Sequence, residues 1–264
     1  MKIVVLVKQV PDTSAIQIDK VTNTLIRTGV ANIINPDDLA AVEEALVLKE
    51  KYGGEVMTVT MGPNQAKAML LELKAMGVDK TYLLSDAFFA GSDTWATSWI
   101  ISNFLKTLDF DLVIAGYQAI DGDTAQVGPQ VAEFLNVPQV THLSSIEEYK
   151  DGELIVVKKG DYELEKLAVT LPALVTTCRD MNTPREMSAF HIWQLEESDV
   201  QVRTFADLNV ERKDIGLAGS PTKVKQTYTK PVTSKSPVVT LTPDEAARKI
   251  IDLLYPYMEV KSHG

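Results

Sequence analysis

The first half of the chain alternates short apolar runs with amphipathic segments at helical spacing, and this alternation restricts the fold. The apolar runs, each rich in Val, Ile, Leu or Thr, are Lys2–Val7, Glu55–Met61, Thr81–Leu84 and Leu112–Ala115. The helical segments between them run from Asn35 to before Gly53, over Gln65–Met76 and over Asp93–Leu105. Strands alternating with crossover helices predict an open, mostly parallel, doubly wound α/β sheet. Ligands of such sheets bind outside the carboxyl ends of the strands.

The first predicted helix has the clearest start signals. Asn35 is a candidate N-cap, and Pro36 suits the first helical position because its missing N–H would have no partner there. Asp37 and Asp38 follow, and their negative charges complement the positive end of the helix dipole.

The pattern changes after about Pro138. Short strands are predicted at 145–149, 154–159 and 162–169, separated by the turn pairs Asp151-Gly152 and Gly160-Asp161, and Leu171–Thr176 predicts one more strand of the main sheet. From residue 196 to 236 the chain is polar and lacks periodicity, which indicates an extended arm lying on a partner. A capped helix is predicted from Thr242 to Met258. We therefore predict a domain over residues 1–195 and a C-terminal arm ending in a helix over 196–264.

Composition excludes several classes of function. The net charge of −10 argues against a nucleic-acid partner. Cys178 is the single cysteine, no stretch is long and apolar enough for a membrane span, and the N-terminal apolar run lacks a cleavage site, so a cytoplasmic protein is expected. His142, His191 and His263 are too scattered for a metal site, and we expect them at the surface or an interface. No P-loop, no G-x-G-x-x-G and no serine–histidine–acid set is present.

Three polar loops follow predicted strands. The first is Val7–Thr13. The second, Gly91–Thr97, enters a helix, where its hydroxyls and N–H groups can cradle a diphosphate, although an ordinary cap by Ser92 or Asp93 explains it as well. In the third, Ala115–Gly128, glycines permit close approach of a ligand and Asp123 can accept from ribose hydroxyls. The loops predict a nucleotide site without selecting the nucleotide.

Several segments together resemble the beta subunit of electron-transfer flavoproteins, in order over nearly the whole chain. They are Val7-Lys8-Gln9-Val10-Pro11-Asp12-Thr13, Asn35-Pro36, Met61-Gly62-Pro63, Gly116-x-Gln-Ala-Ile-Asp-Gly-Asp, Asn182-x-Pro184-Arg185 and Gly216–Thr222. The resemblance implies a larger alpha subunit that carries FAD. It also implies that the beta subunit binds AMP in non-bifurcating members and a second FAD in electron-bifurcating ones. Val10–Thr13 is similar to the bifurcating form, which implies FAD, with AMP as the alternative.

The resemblance also implies where the cofactor lies and what it does. The implied cofactor-binding residues are Leu6, Val7, Lys8, Asn35, Pro36, Asp37, Asp38, Met61, Asp93, Thr94, Thr97, Gly116, Gln118, Ala119, Asp121, Gly122, Asp123, Thr124, Gln126 and Val127. NADH is the implied electron donor. One electron passes to ferredoxin or flavodoxin, and the other passes through the alpha-subunit FAD to a flavin dehydrogenase of the acyl-CoA or lactate type. No catalytic side chain is expected, because the redox chemistry belongs to the flavin.

The sequence departs from the family pattern at two places. Lys158–Glu163 replaces the usual E-x-D-G-G turn. Glu186 stands where many members have an aromatic residue, and Ala189 stands where they have the leucine that docks on acyl-CoA dehydrogenases. We hypothesise that Phe190 or Ile192 is the new anchor, or that the partner is a different dehydrogenase. The alternative from another class is a stand-alone ATP-binding α/β module, which would be a homodimer without flavin.

Overall fold

The computed structural model describes residues 1–12, 17–18, 25–26, 31–223 and 238–258. Thr13, His263 and residues 224–237 of the predicted arm lie outside the described residues. The chain divides into two compact units, Met1–Lys225 and Gln226–Gly264.

The first unit contains thirteen described strands and six described α-helices. The strands are β1 (Lys2–Leu6), β2 (Gln9–Pro11), β3 (Gln17–Ile18), β4 (Leu25–Ile26), β5 (Asn32–Ile34), β6 (Glu55–Met61), β7 (Lys80–Leu84), β8 (Leu112–Gly116), β9 (Gln139–Lys150), β10 (Glu153–Lys159), β11 (Leu164–Thr170), β12 (Ala173–Thr177) and β13 (Val200–Arg203). The helices are α1 (Pro36–Tyr52), α2 (Lys67–Met76), α3 (Thr94–Leu105), α4 (Val127–Leu135), α5 (Ala189–Gln194) and α6 (Gly216–Gly219).

Nine strands form the main sheet in the order β11-β10-β9-β12-β8-β1-β6-β7-β13. Every neighbouring pair from β9 across to β13 is parallel, and the pairs β9–β10 and β10–β11 are antiparallel. Two further antiparallel pairs, β2–β5 and β3–β4, lie outside this sheet. The predicted α/β fold, with a mostly parallel sheet and a small antiparallel region, is confirmed.

Helices cover both faces of the parallel part. Successive residues of β1 point to opposite faces, so Ile3 and Val5 pack in one buried cluster while Val4 and Leu6 pack in the other. The first cluster includes apolar residues of α1 and α2, and the second includes those of α3 and α4. Since strands buried on both faces need apolar residues at successive positions, β1 and β8 appear in the sequence as continuous apolar runs.

The antiparallel region is longer than predicted. β9 has 12 residues; it begins parallel to β12 and continues antiparallel to β10. The predicted turn at Asp151-Gly152 is confirmed, since both residues have positive φ, 52° and 83°. The connection from β10 to β11 closes with a hydrogen bond from the Gly160 N–H to the Glu163 carbonyl at 2.9 Å.

The polar tract after residue 196 differs from the prediction in its first part. β13 pairs in parallel with β7 and becomes the edge of the main sheet, and Leu208 and Ile215 are buried in the second cluster. The first unit therefore extends to Lys225 rather than ending at residue 195. Sequence periodicity did not reveal this part, because β13 has only four residues and a single fully buried one, Val200.

The described part of the second unit contains α7 (Pro243–Met258). Thr242 donates from its N–H and its hydroxyl to Glu245, which confirms the predicted start of this helix. Ile250, Leu253 and Leu254 are exposed on the chain. Among the described helices, none has both the length and the apolar character that crossing a membrane requires.

Candidate functional site

A cavity of about 390 Å³ lies at the carboxyl ends of β1, β6 and β8. The chain runs from β1 to β6 and β7 on one side, whereas β8 and β12 lie on the other side of β1, so the strand order reverses here. Such a reversal is where open α/β sheets bind their ligands. The starts of α3 and α4 complete the wall.

Most of the predicted cofactor residues come together around this cavity. Those that line it are Leu6, Val7, Lys8, Asp38, Met61, Asp93, Thr94, Thr97, Gly116, Gln118, Ala119, Gly122, Thr124, Gln126 and Val127. The lining residues outside the predicted set are Val59, Ser92, Ile101, Ala115, Tyr117, Ala125 and Gly128. Several of these directly precede or follow a predicted residue, so strand-end position was the signal that could have found them.

Asn35 lies behind the wall and occupies the N-cap position of α1 as predicted, but its side chain makes no capping hydrogen bond. Its side-chain amide instead donates to the Gln118 carbonyl at 2.8 Å, and its side-chain oxygen accepts from the Ile120 N–H at 3.2 Å. Asn35 is fully buried, and these bonds join the start of α1 to the loop after β8.

Pro36, Asp37, Asp121 and Asp123 also lie outside the lining. Pro36 occupies the start of α1 as predicted. Asp37 accepts from the Arg179 N–H at 2.9 Å, and Asp123 accepts from the Gln118 side-chain amide at 3.2 Å. Asp37 and Asp123 therefore hold neighbouring loop residues in place without lining the cavity.

Asp38 is a buried acid in the cavity wall. Its Oδ2 accepts from the Lys8 N–H at 2.8 Å. Burial raises the pKa of Asp38 to about 7, although hydrogen bonds from Asn35, Lys8 and Gly116 act against this. A Cβ at Gly116 would lie 2.1 Å from Asp38 Oδ1, so only glycine lets β8 approach the start of α1 this closely.

Lys8 is the cationic side chain in the described lining, and it forms an ion pair with an acidic residue. Its Nζ lies 2.8 Å from both carboxylate oxygens of Asp121 in the loop after β8. This pair ties the end of β1 to that loop. The described lining therefore offers a partly neutralised lysine rather than a basic cluster.

At the start of α3, Asp93 is an N-cap. Its Oδ1 accepts from the Ala96 N–H at 3.0 Å, and its Oδ2 accepts from the Thr222 N–H and hydroxyl at 2.8 and 2.7 Å. Burial opposes ionisation, but hydrogen bonds from Ala96, Thr222 and Trp95 lower the pKa of Asp93 overall. The ordinary cap interpretation therefore holds for this residue.

The start of α4 differs from that of α3 in its capping. This helix begins at Val127, and no side chain caps it. The Thr94 hydroxyl donates to Gln126 Oε1 at 2.8 Å and links the starts of α3 and α4. Helix N-termini attract anions through free N–H groups and the helix dipole. The sequence prediction extended the polar loop to Gly128 and missed α4, although Pro129 was an available start signal.

The lining suits a nucleotide. The cavity volume lies within the roughly 300–1,000 Å³ of small-molecule sites. The lining combines the hydroxyl side chains of Thr94, Thr97 and Thr124 with apolar side chains that include Met61 and Ile101. Within the described ranges, no cluster of His, Cys, Asp and Glu could hold a metal ion. This donor set suits AMP as well as the AMP half of FAD.

Comparisons with known proteins identify the family of the chain. A family model described as "Electron transfer flavoprotein domain" matches residues 22–202. The chain belongs to the electron transfer flavoprotein family. It is 47% identical over 255 residues to the electron transfer flavoprotein subunit beta of Clostridium acetobutylicum, covering 96% of this chain and 98% of that protein.

Two other relatives carry the names of reductase complexes. The chain is 43% identical over 257 residues to the caffeyl-CoA reductase-Etf complex subunit CarD of Acetobacterium woodii, covering 96% of this chain and 98% of that protein. It is 41% identical over 265 residues to the acryloyl-CoA reductase electron transfer subunit gamma of Anaerotignum propionicum, with the same coverage of 96% and 98%.

The Asn182-x-Pro184-Arg185 segment, part of the resemblance to the electron transfer flavoprotein family, anchors the chain after β12 to α1. Arg185 bonds Glu43 with its Nε and Nη2 at 2.9 Å, and its Nη1 lies 2.5 Å from Glu50. These bonds raise the pKa of Arg185. Asn182 donates to the Ala40 carbonyl at 3.0 Å. The segment acts as a clamp outside the cavity.

Directly after this clamp, α5 carries the predicted docking residues. Ala189, Phe190 and Ile192 are all exposed, Phe190 by 62%. Trp193, which was not among the predicted docking residues, is 83% exposed on the same helix. The Ser188 N–H donates to the Ala75 carbonyl at 3.0 Å, and His191 Nδ1 lies 3.1 Å from the same oxygen, so α5 is held on the end of α2.

Proposed function

We propose that this chain is the beta subunit of an electron-bifurcating electron transfer flavoprotein, binding FAD in the cavity and receiving electrons from NADH. The observation that carries the proposal is the cavity at the strand reversal, lined by residues that the family resemblance assigns to the cofactor. FAD, when bound, supplies the hydride-accepting and electron-passing chemistry.

The protein's own part is to bind and to orient. The uncapped start of α4 and the hydroxyls of Thr94 and Thr97 would hold phosphate oxygens. The Lys8–Asp121 pair would fix the loop after β8 over the nucleotide. Asp38 would hold or release a proton within the wall, because its pKa lies near neutral pH.

FAD is favoured over AMP by the Val10–Thr13 segment, which is similar to the bifurcating form. The names of the relatives from Acetobacterium woodii and Anaerotignum propionicum, which are subunits of reductase complexes, fit the same role. The alternative is a subunit in which AMP is a structural ligand and NADH does not react.

Cofactor content separates these alternatives. We would co-express the chain with its alpha subunit, denature the complex, and quantify flavin and AMP per heterodimer by chromatography. Two FAD and no AMP are expected. One FAD with one AMP would end the bifurcation proposal. A homodimer without flavin would favour the stand-alone ATP-binding alternative.

The proposed assembly follows from the same role. An alpha subunit would carry the second FAD, and the exposed apolar residues of α7 would pack against that subunit in the cytoplasm. Ferredoxin or flavodoxin would take one electron. A flavin dehydrogenase of the acyl-CoA or lactate type would take the other through the alpha-subunit FAD.

The dehydrogenase would dock on α5, where Phe190 and Trp193 form an exposed apolar surface. Large aromatic residues in the centre of an interface contribute most of its binding energy. We expect Phe190→Ala to raise the Kd for the dehydrogenase about tenfold, measured by surface plasmon resonance. Tyr162→Ala, which removes an exposed aromatic side chain elsewhere, is the matched control. An unchanged Kd in Phe190→Ala would remove Phe190 as the anchor.

A further inference from the structure

Two aromatic rings stack beside the cavity. The ring centroids of Tyr117 and His142 lie 4.3 Å apart, and their planes differ by 4°. Tyr117 follows β8 directly and lines the cavity, whereas His142 belongs to β9. Both residues are half-buried, so they are neither core packing nor free surface side chains.

The backbone at His142 is unusual. Its φ is +66°, a left-handed conformation that is sparsely populated by residues with a side chain. The register between β9 and β12 also shifts here, since Val140 pairs with Val175 and Leu143 pairs with Thr177. Bulges of this kind turn a side chain away from its regular direction, and they are frequent beside active sites. The bulge turns the imidazole onto the Tyr117 ring.

Backbone strain is concentrated around the same cavity. In the part of the chain that the structure describes, positive φ at residues other than glycine occurs at Asp123, Ala125, Asn136, His142 and Asp151. Asn136 ends α4 and Asp151 is in a hairpin turn, so ordinary turn geometry explains both. The other three lie in the loop after β8 or under Tyr117. Strain that is held by its surroundings clusters at binding sites.

The backbones of both residues are hydrogen-bonded to neighbouring residues of one strand. The Tyr117 N–H donates to the Thr177 carbonyl at 2.7 Å, and the His142 N–H donates to the Thr176 hydroxyl at 3.0 Å. Thr176 and Thr177 end β12 and are buried. The backbones that carry the two stacked rings are therefore held by the end of β12.

We propose that Tyr117, backed by His142, is a stacking platform for a planar heteroaromatic ring of the nucleotide in this cavity. The proposal rests on the nucleotide-binding function proposed above. His142 covers one face of the Tyr117 ring, so a ligand ring meets the other face. Aromatic stacking accepts any planar π system, and adenine and isoalloxazine both present one.

The test uses the co-expressed complex with the alpha subunit, stripped of the nucleotide of this cavity and titrated separately with AMP and with FAD by calorimetry. Tyr117→Leu removes the ring at similar volume, and Tyr117→Phe keeps it. His142→Asn removes the supporting ring, and asparagine tolerates positive φ. Tyr162→Leu, at a fully exposed tyrosine, is the control. The melting temperature of each variant reports the fold.

Tyr117→Leu should raise the Kd about five- to tenfold, Tyr117→Phe should restore it to within about twofold, and His142→Asn should have an intermediate effect. Equal losses for AMP and FAD would assign adenine to the platform, and a loss for FAD alone would assign isoalloxazine. Wild-type Kd values for both nucleotides in Tyr117→Leu would overturn the proposal. A wild-type complex that binds AMP but not FAD would contradict the proposed FAD binding. The AMP titrations of the variants would still test the stacking platform.

Discussion

The parallel part of the main sheet and its antiparallel extension are continuous, but they differ in burial and in their contribution to the cavity. In β8, Leu112, Val113 and Ile114 are fully buried between helices. In β11, at the far edge, Val169 is the one buried residue of seven. The described lining of the cavity includes residues at the ends of β1, β6 and β8, and none from β10 or β11. Parallel strands bring their carboxyl ends and the following helix starts to one edge, which is what builds the site.

The largest expected difference between the two regions is in stability. Leu83→Ala in β7 removes a fully buried side chain, so it should lower the free energy of unfolding by about 3 kcal/mol. Leu164→Ala in β11 removes a side chain that is 65% exposed and should change it by less than about 0.5 kcal/mol. Urea denaturation of the purified chain measures both.

Equal losses in the two variants would contradict the comparison. They would mean that the extension contributes to the same cooperative core as the parallel strands. A substantial loss in Leu164→Ala only within the assembled complex would instead indicate that a partner covers β11.

The difference in burial between the two regions also determined which strands could be predicted from the sequence. Strands buried on both faces need apolar residues at every position, so β1 and β8 were visible as apolar runs. β13 was missed because an edge strand of four residues carries little pattern. The first part of β9 was missed because its pairing changes from parallel to antiparallel within one strand. The pairing partners of β9 and β13 are determined by tertiary contacts and not by local sequence.

The candidate site was predicted in outline for a related reason. Polar loops after apolar strands marked the carboxyl edge, and the family resemblance added individual residues. Asn35 is the N-cap residue as predicted, but its side chain bonds Gln118 and Ile120, more than eighty residues away in the chain, rather than its own helix. Tyr117 lies within the predicted loop Ala115–Gly128, but its stacking was not predicted, because His142 is brought beside it only by the bulge in β9.

Packing at the carboxyl edge gives the second prediction. Gly116→Ala would place a Cβ 2.1 Å from Asp38 Oδ1 and 2.7 Å from Asp38 N, so the start of α1 must move. We expect a loss of about 2 kcal/mol in unfolding free energy together with weaker nucleotide binding. Gly122→Ala in the same loop is the matched control for stability, because no atom lies within 4 Å of its new Cβ. A Gly116→Ala protein of wild-type stability and affinity would show that the two segments can separate freely.

The last prediction concerns the carboxyl group that is buried at this edge. In the unfolded chain the Asp38 carboxyl loses its proton near its ordinary pKa of 3.8, whereas in the folded chain it keeps the proton until about pH 7. Between these values the folded state binds the additional proton, so stability falls as pH rises, by about 1.4 kcal/mol per pH unit at most, and levels off above pH 7.

The variant Asp38→Asn tests this, because the asparagine side chain cannot ionise. The unfolding free energy of Asp38→Asn minus that of wild type should therefore rise from pH 4 to pH 7, on top of a constant loss from the altered bond to the Lys8 N–H. Urea denaturation at several pH values measures this difference, with Asp161→Asn in the exposed β10–β11 connection as the control. The same pH profile in both variants would mean that the Asp38 carboxyl is no less hydrated than an exposed carboxyl in the extension. The two regions would then differ in packing alone.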